Sequence, residues 1–403
     1  MPSHSAVSRP LTRVPATWRR GALLAALAAS CNAGGGNEKR PPGSGGAGPS
    51  GGAGAGSTAS DAGFVFGGGD PPPASLLDGG CNRLEIGFEK IHPTVVLLID
   101  RSGSMFDQAY GASPDRWAPL KTALMDATSG PVRTLESDVR WGYTSYTGDG
   151  ARPAECPILR TVGVAFDNYQ AILTAYDADS TQPPFKAETP TGVSVRAAAQ
   201  ELAKVTEPGP KFIILATDGE PDTCATPDPQ CGQDESIRAV QDAFGQQIQT
   251  FVVGIGSEVG EKHLRDLANA GVGQPVEAPN SDFVNNCINP GHATRSASYA
   301  SGPAGSAAYY HPTDPQALEN DLRSIIGSVR TCTFELNAKV DLNHASVGAV
   351  ALDGTNLGYG DSNGWRMIDE THLEVTGTAC QSILGNSKVL SVGFPCNVAK
   401  IIR

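Results

Sequence analysis

Val95-Val96-Leu97-Leu98-Ile99-Asp100-Arg101-Ser102-Gly103-Ser104 joins five consecutive apolar residues to a polar turn. An unbroken apolar run of this length predicts a strand buried on both faces, as in a parallel sheet covered by helices. The chain repeats the pattern downstream. Phe212–Ala216 and Phe251–Ile255 read as further buried strands, and Val139–Tyr146 as another. Between them, Trp117, Leu120, Leu124 and Ala127 recur at helical spacing, as do Val195, Ala198, Leu202 and Val205. Glu235–Phe244 and Leu264–Ala268 add two helices. A last amphipathic stripe, Leu318, Leu322, Ile325, Ile326 and Val329, follows Asp314-Pro315, an N-cap residue and a first-turn proline. Strands alternating with helices predict an α/β fold with a doubly wound, mostly parallel sheet in three layers.

The residues after the first strand carry the chemistry. Asp100-Arg101-Ser102-Gly103-Ser104 is an Asp-x-Ser-x-Ser turn at the carboxyl end of a buried strand, the edge at which ligands bind in open α/β sheets. Glu188-Thr189-Pro190-Thr191-Gly192 precedes a predicted helix, and Thr217-Asp218-Gly219-Glu220 ends another buried strand. All three segments can meet on one rim. Their donors are the hydroxyls of Ser102, Ser104 and Thr189 and the carboxylates of Asp100 and Asp218. Such all-oxygen sets suit a hard divalent cation, Mg²⁺ first, with Mn²⁺ or Ca²⁺ as alternatives. Serine and aspartate before glycine also serve simply as turn residues. A purely structural reading of each segment therefore stands beside the metal reading.

Taken in order, the three segments resemble the metal-ion-dependent adhesion site of von Willebrand factor type A (VWA) domains. The resemblance covers roughly residues 90–330. It implies that Asp100, Ser102 and Ser104 form the first motif, that Thr189 is the distant threonine, with Thr191 as its rival, and that Asp218 is the distant aspartate. It further implies direct coordination by the serines, coordination largely through water by the aspartates, and a remaining place filled by a carboxylate of a protein ligand. The expected function is therefore metal-dependent binding, in adhesion or surface assembly. The alternative is a structural scaffold whose metal only steadies the fold while another part binds the partner.

Residues 1–31 read as a signal peptide. Arg19-Arg20 closes a basic segment, Gly21–Ala29 is a short apolar core, and Ala28-Ala29-Ser30 leads to Cys31. This resembles a bacterial lipobox, which implies a lipid on Cys31 and an extracytoplasmic, membrane-anchored protein. Ala28 stands where the lipobox prefers leucine, and ordinary cleavage that leaves Cys31 unmodified is the other reading. The twin arginines also raise an alternative export route. Residues 32–80, almost all Gly, Ala, Ser, Pro and Asp, cannot bury enough apolar surface to order themselves. They read as a flexible tether with a reach of about 35–42 Å. Residues 81–331 are expected to form the α/β domain. Residues 332–403, with β-type runs at Thr333–Val340, Ser346–Leu352, His372–Thr376 and Val389–Phe394, are expected to form a small disulfide-stapled β module.

Formal net charge is −12 in 403 residues, which argues against a nucleic-acid partner. Of nine cysteines, Cys31 is the lipidation candidate and the remaining even number fits an oxidising compartment. Cys224 and Cys231 bracket a short Pro-rich loop, which predicts a local bridge. Cys380 and Cys396 share the β module and are expected to pair, while Cys81, Cys156, Cys287 and Cys332 stay unassigned. The absence of any Cys-x-x-Cys argues against zinc. The acidic loop of Asp218, Glu220, Asp222, Asp228, Asp234 and Glu235 lacks the ordered spacing of a calcium loop. No His-Glu-x-x-His, Walker-type loop or Gly-x-Ser-x-Gly elbow is present. Binding, and not catalysis, is the expectation.

Overall fold

The computed structural model describes residues 84–227, 230–385 and 388–402. The signal segment, Cys31, the tether and Cys81 lie outside these residues. Two short strands open the described chain, β1 (Leu84–Glu85) and β2 (Phe88–Lys90). β3 (Thr94–Asp100) follows, and every residue in it is buried. Its side chains divide with a period of two. Val95, Leu97 and Ile99 enter one apolar cluster, and Val96 and Leu98 enter another on the opposite face. Helices cover both faces, which is why this strand needed no polar alternation.

The helices α1 (Ser104–Asp107), α2 (Trp117–Met125) and α3 (Pro131–Thr134) lead to β4 (Arg140–Asp149). Then come β5 (Ile158–Ala165), α4 (Tyr169–Ala178), β6 (Ala187–Glu188), α5 (Thr191–Ala203), β7 (Lys211–Thr217) and α6 (Gln233–Gly245). β8 (Ile248–Gly254), α7 (Glu261–Gly271), α8 (Ser281–Phe283) and α9 (Pro315–Val329) complete the α/β domain. The sheet runs β5-β4-β3-β7-β8, with β6 on the end of β4. Strands β4, β3, β7 and β8 are parallel, whereas β5 is antiparallel at the edge. Helices α2, α4 and α9 cover the first face, and α5, α6 and α7 the second. The expected doubly wound α/β architecture is the one present. At α9 the Asp314 carboxylate accepts from the Gln316 and Ala317 amides, as the Asp-Pro signature predicts.

The C-terminal part is a β module built of β9 (Thr333–Leu336), β10 (Ala338–Val340), β11 (Ala349–Leu352), β12 (Thr355–Tyr359), β13 (Gly364–Met367), β14 (His372–Val375), α10 (Gly377–Gly385), β15 (Leu390–Phe394) and β16 (Ala399–Ile401). Its main sheet has the order β1-β15-β11-β12-β13-β14-β9-β2. Only Ile86 and Gly87 separate β1 from β2, so one segment forms both ends of the sheet. The Ile86 amide donates to Val392 O (3.0 Å), and the Asn337 amide donates to Gly87 O (2.9 Å). The sheet thereby closes around Phe334, Leu373, Trp365 and Phe394.

This pairing corrects the expected boundary at residue 81. Leu84–Lys90 belong to the C-terminal sheet, and the α/β domain is inserted between β2 and β9. Two- and three-residue strands carry too little hydrophobic periodicity to reveal such a partner from sequence. The two crossings lie side by side. The Ile91 amide donates to Thr333 O (2.9 Å), and Asp138 accepts from Lys90 (2.8 Å) and Arg330 (2.9 Å).

Both cysteine pairs expected from sequence are also corrected. Cys156 bonds Cys224, Cys231 bonds Cys287, and Cys332 bonds Cys380. Cys396 is disulfide-bonded as well, though not to Cys380. The loop ends Cys224 and Cys231 face different elements. One ties the post-β7 loop to the β4–β5 connection, and the other packs with Phe283 and Cys287. Closeness in sequence did not decide pairing, because each bridge joins segments that only the sheet brings together.

Candidate metal centre

At the carboxyl end of β3 the chain order reverses. β4 lies on one side and β7 on the other, so the loops after β3 and β7 splay apart and leave a crevice between them. Asp100 is the last residue of β3 and is wholly buried. Its Oδ1 accepts from the Ser102 amide (2.8 Å), folding the Asp-x-Ser turn back on itself. Its Oδ2 accepts from the hydroxyl of Thr217 (2.7 Å), on the neighbouring strand.

Ser102 and Ser104 present their hydroxyl oxygens 3.1 Å apart. Asp218, distant in sequence, meets them there. Ser104 Oγ donates to Asp218 Oδ1 at 2.8 Å, and Ser102 Oγ lies 3.4 Å from the same oxygen. Thr189 arrives from a third direction. β6 pairs with the end of β4, Gly148 opposite Glu188 and Asp149 opposite Ala187, which carries the following residue to the rim. A reciprocal pair of hydrogen bonds then fixes it. The Thr189 amide donates to Asp222 Oδ2, and the Asp222 amide donates to Thr189 O, both at 2.8 Å.

Gly219 marks where the hydroxyls converge. A methyl group placed on it would lie 3.5 Å from Thr189 Oγ1 and 3.8 Å from Ser104 Oγ. Thr191, the alternative threonine, is turned inward, with its hydroxyl 3.1 Å from that of Tyr146. All five residues singled out from sequence are thus gathered at one crevice. Thr189 Oγ1 and Ser104 Oγ both border the space over Gly219.

Two carboxylates in one buried crevice carry an electrostatic cost. Burial, with the charge of Asp218 adding to it, pushes the Asp100 carboxyl up to about 7 against the hydrogen bonds from Thr217 and Ser102. Burial also raises Asp218, and the Arg116 guanidinium opposes that rise. A cation placed between the carboxylates would relieve the repulsion, and the hydroxyls would supply neutral oxygens. The donor set therefore fits a hard divalent ion. Among the described residues no group of three or more His, Cys, Asp or Glu side chains is placed to hold a metal. This crevice depends on hydroxyls for most of its donors and is not that kind of cluster.

Three residues here escaped the sequence reading. Thr217 bonds Asp100, Asp222 pins Thr189, and Arg116 donates from Nη1 to Asp218 Oδ2 at 2.7 Å. Thr217 and Asp222 flank a recognised motif and had that signal. Arg116 sits in an ordinary Ser-Pro-Asp-Arg turn and had none.

Residues 94–286 match the model of the von Willebrand factor type A domain family. No curated protein matches the chain. Among solved structures, the pilus adhesin SpaC from Lactobacillus rhamnosus GG aligns at 13% identity and a TM-score of 0.41, over 77% of this chain and 40% of that one. Manganese-loaded TRAP protein of Plasmodium vivax aligns at 12% identity and a TM-score of 0.39, over 72% and 96% of the two chains. The PilB minor pilin of Streptococcus sanguinis gives 12%, 0.39, 60% and 62%. The chain spans only about 40% of the length of SpaC, and likenesses this distant say nothing of what it binds. From the family match and the topology together, this chain carries a VWA domain, set as an insertion within a β module.

Proposed function

We propose that Asp100, Ser102, Ser104, Thr189 and Asp218 hold one divalent cation, Mg²⁺ or alternatively Mn²⁺ or Ca²⁺, and that the site captures a carboxylate of a protein ligand outside the cytoplasm. When bound, the cation supplies a Lewis-acidic coordination place for that carboxylate. The chain's own residues do the rest. Asp100 shapes the Ser102 turn through its amide bond, and Thr217 keeps the Asp100 carboxylate aligned. Ser102 and Ser104 offer neutral hydroxyls, so few negative charges offset the cation. Asp222 locks the loop that presents Thr189.

The observation that carries this reading is the meeting of Ser102 and Ser104 hydroxyls with Asp218 Oδ1, residues more than a hundred positions apart. Disulfides among the described residues fit an oxidising compartment. No described helix is long and apolar enough to cross a membrane. The lipid on Cys31 as anchor is part of the proposal.

The test is capture of extracellular partners by the purified chain in Mg²⁺ and in EDTA, beside Asp218→Ala. Loss of the captured partner in both arms is expected. Capture that is indifferent to chelation and to the substitution removes the metal from the mechanism.

One observation favours a second reading, in which the VWA domain is a scaffold and the β module binds. Large exposed apolar side chains concentrate in that module, among them Val347, Ile368, Val389 and Ile402. If Val347→Ser and Ile368→Ser abolish capture while Asp218→Ala leaves it intact, the scaffold reading is the correct one.

A further inference from the structure

Arg116 precedes α2 and lies almost entirely out of water, its side chain 3% exposed. Its guanidinium bridges two carboxylates. Nη1 donates to Asp218 Oδ2 at 2.7 Å, and Nη2 donates to Glu258. The two partners differ in kind. Asp218 is wholly buried, whereas Glu258 is 45% exposed and its charge is partly screened by solvent. The place is built for this cation. Gly256, at φ +88°, faces the guanidinium, and a Cβ there would come within 2.6 Å of Arg116 Cζ and Nη2. A side chain at 256 would force the guanidinium to shift and would strain the backbone at this φ.

We propose that Arg116 is the charge-setting residue of the site, weakening its hold on the metal and adapting the metal-loaded site to an anionic ligand. The inference rests on the metal reading above and follows from counting charges. Arg116 adds one positive charge directly to Asp218, while Asp100, Asp222 behind Thr189 and the solvent-facing Glu258 are the same whether or not it is there. The metal-loaded crevice is therefore one unit more positive with Arg116 than without it, which disfavours the cation and favours an added carboxylate. In a crevice screened poorly by solvent, a unit charge a few ångströms away changes binding constants by about ten-fold or more. Arg116 also occupies Asp218 Oδ2, which leaves Oδ1 as the oxygen turned toward the serines.

The experiment measures Mn²⁺ binding to the full chain by electron paramagnetic resonance. Water-proton relaxation then follows acetate as it displaces water from the bound Mn²⁺. Arg116→Met is expected to bind Mn²⁺ about ten-fold more tightly and to require about ten-fold more acetate. Arg116→Lys, which keeps the charge, should stay within about three-fold of the unmodified chain in both. A merely structural arginine predicts that Arg116→Met weakens both affinities, and that outcome overturns the proposal, as does no change in either. Should Arg116→Met fail to fold, the solvent-facing Glu258→Gln decides. It leaves Arg116 less compensated, so Mn²⁺ should weaken and acetate should strengthen by about two- to three-fold, and unchanged values overturn the proposal. If the unmodified chain binds no Mn²⁺ at all, the metal reading itself fails, an outcome distinct from either result with Arg116.

Discussion

Gly219 shows how little separates a turn from a site. Its neighbours Thr189 Oγ1 and Ser104 Oγ stand 3.5 and 3.8 Å from the point where a methyl group would lie. These are ordinary contact distances, so alanine would be accommodated without rearrangement. It would nevertheless stand between the hydroxyls to which the proposed function assigns one ion. Gly219→Ala is expected to weaken Mn²⁺ binding by at least about ten-fold with an unchanged thermal midpoint; binding as tight as in the unmodified chain would place the ion elsewhere. His263, on α7, is a residue of a different kind. It is buried, its Nδ1 has no hydrogen-bond partner among the described residues, and burial lowers its pKa from 6.5 to about 4, against the pull of Glu220. A histidine lowered in the folded state favours unfolding once protonated, so its contribution is intact above pH 6.5 and is lost as pH falls toward 4. That amounts to about 3 kcal/mol. Urea midpoints measured from pH 7 to 4 should fall less steeply for His263→Leu than for the unmodified chain, and parallel curves would refute the assignment.

At the scale of elements, loops are placed by strands and then fixed by covalent or hydrogen-bonded ties. The β6–β4 pairing delivers Thr189, and the Thr189–Asp222 pair locks it. The Cys156–Cys224 bridge holds the same post-β7 loop from its far end. In the β module, Cys332 at the entrance to β9 is tied to Cys380 on α10 across 48 positions. Closing a loop of that length restricts the unfolded chain by about 4 kcal/mol on the entropic account. Replacing both cysteines by alanine should therefore lower the stability of the module by about 2–4 kcal/mol, read from hydrogen exchange of the β9 and β14 amides. The amides of β3 and β7 should keep their protection. Equal loss in both regions would show that the domain and the module unfold as one unit.

For the molecule as a whole, the insertion decides what can be taken apart. β1 and β2 supply the two ends of the C-terminal sheet, and Phe88 packs edge-on against Phe334 with ring centroids 5.3 Å apart. Removing residues 332–403 would leave β1 and β2 unpaired, and expressing that region alone would expose both sheet edges. A chain beginning at His92 is expected to keep the VWA domain folded and Mn²⁺ binding intact, while its β module loses cooperative unfolding and aggregates. A soluble, cooperatively folding module in that chain would refute the shared-edge account. The insertion also orients the site. The crossings to the module lie where β3 begins and Asp100 ends that strand, so a strand of seven residues sets them about 20 Å apart. The candidate metal centre therefore lies at the opposite end of β3 from the crossings.

The α/β layering and the five candidate residues Asp100, Ser102, Ser104, Thr189 and Asp218 were legible in the sequence. Apolar periodicity and turn chemistry are local properties, and β3, the Asp314 cap of α9 and the Asp-x-Ser-x-Ser turn state them within a few residues. It did not reveal β5, α4 or α10, whose patterns are interrupted by polar residues on half-exposed faces. The disulfide partners, the ownership of Leu84–Lys90 and the placement of Arg116 against Asp218 were fixed by the three-dimensional fold. Each of these is a contact between segments distant along the chain. Such contacts depend on where the sheet reverses and how its edges close, and no local pattern of residues encodes that.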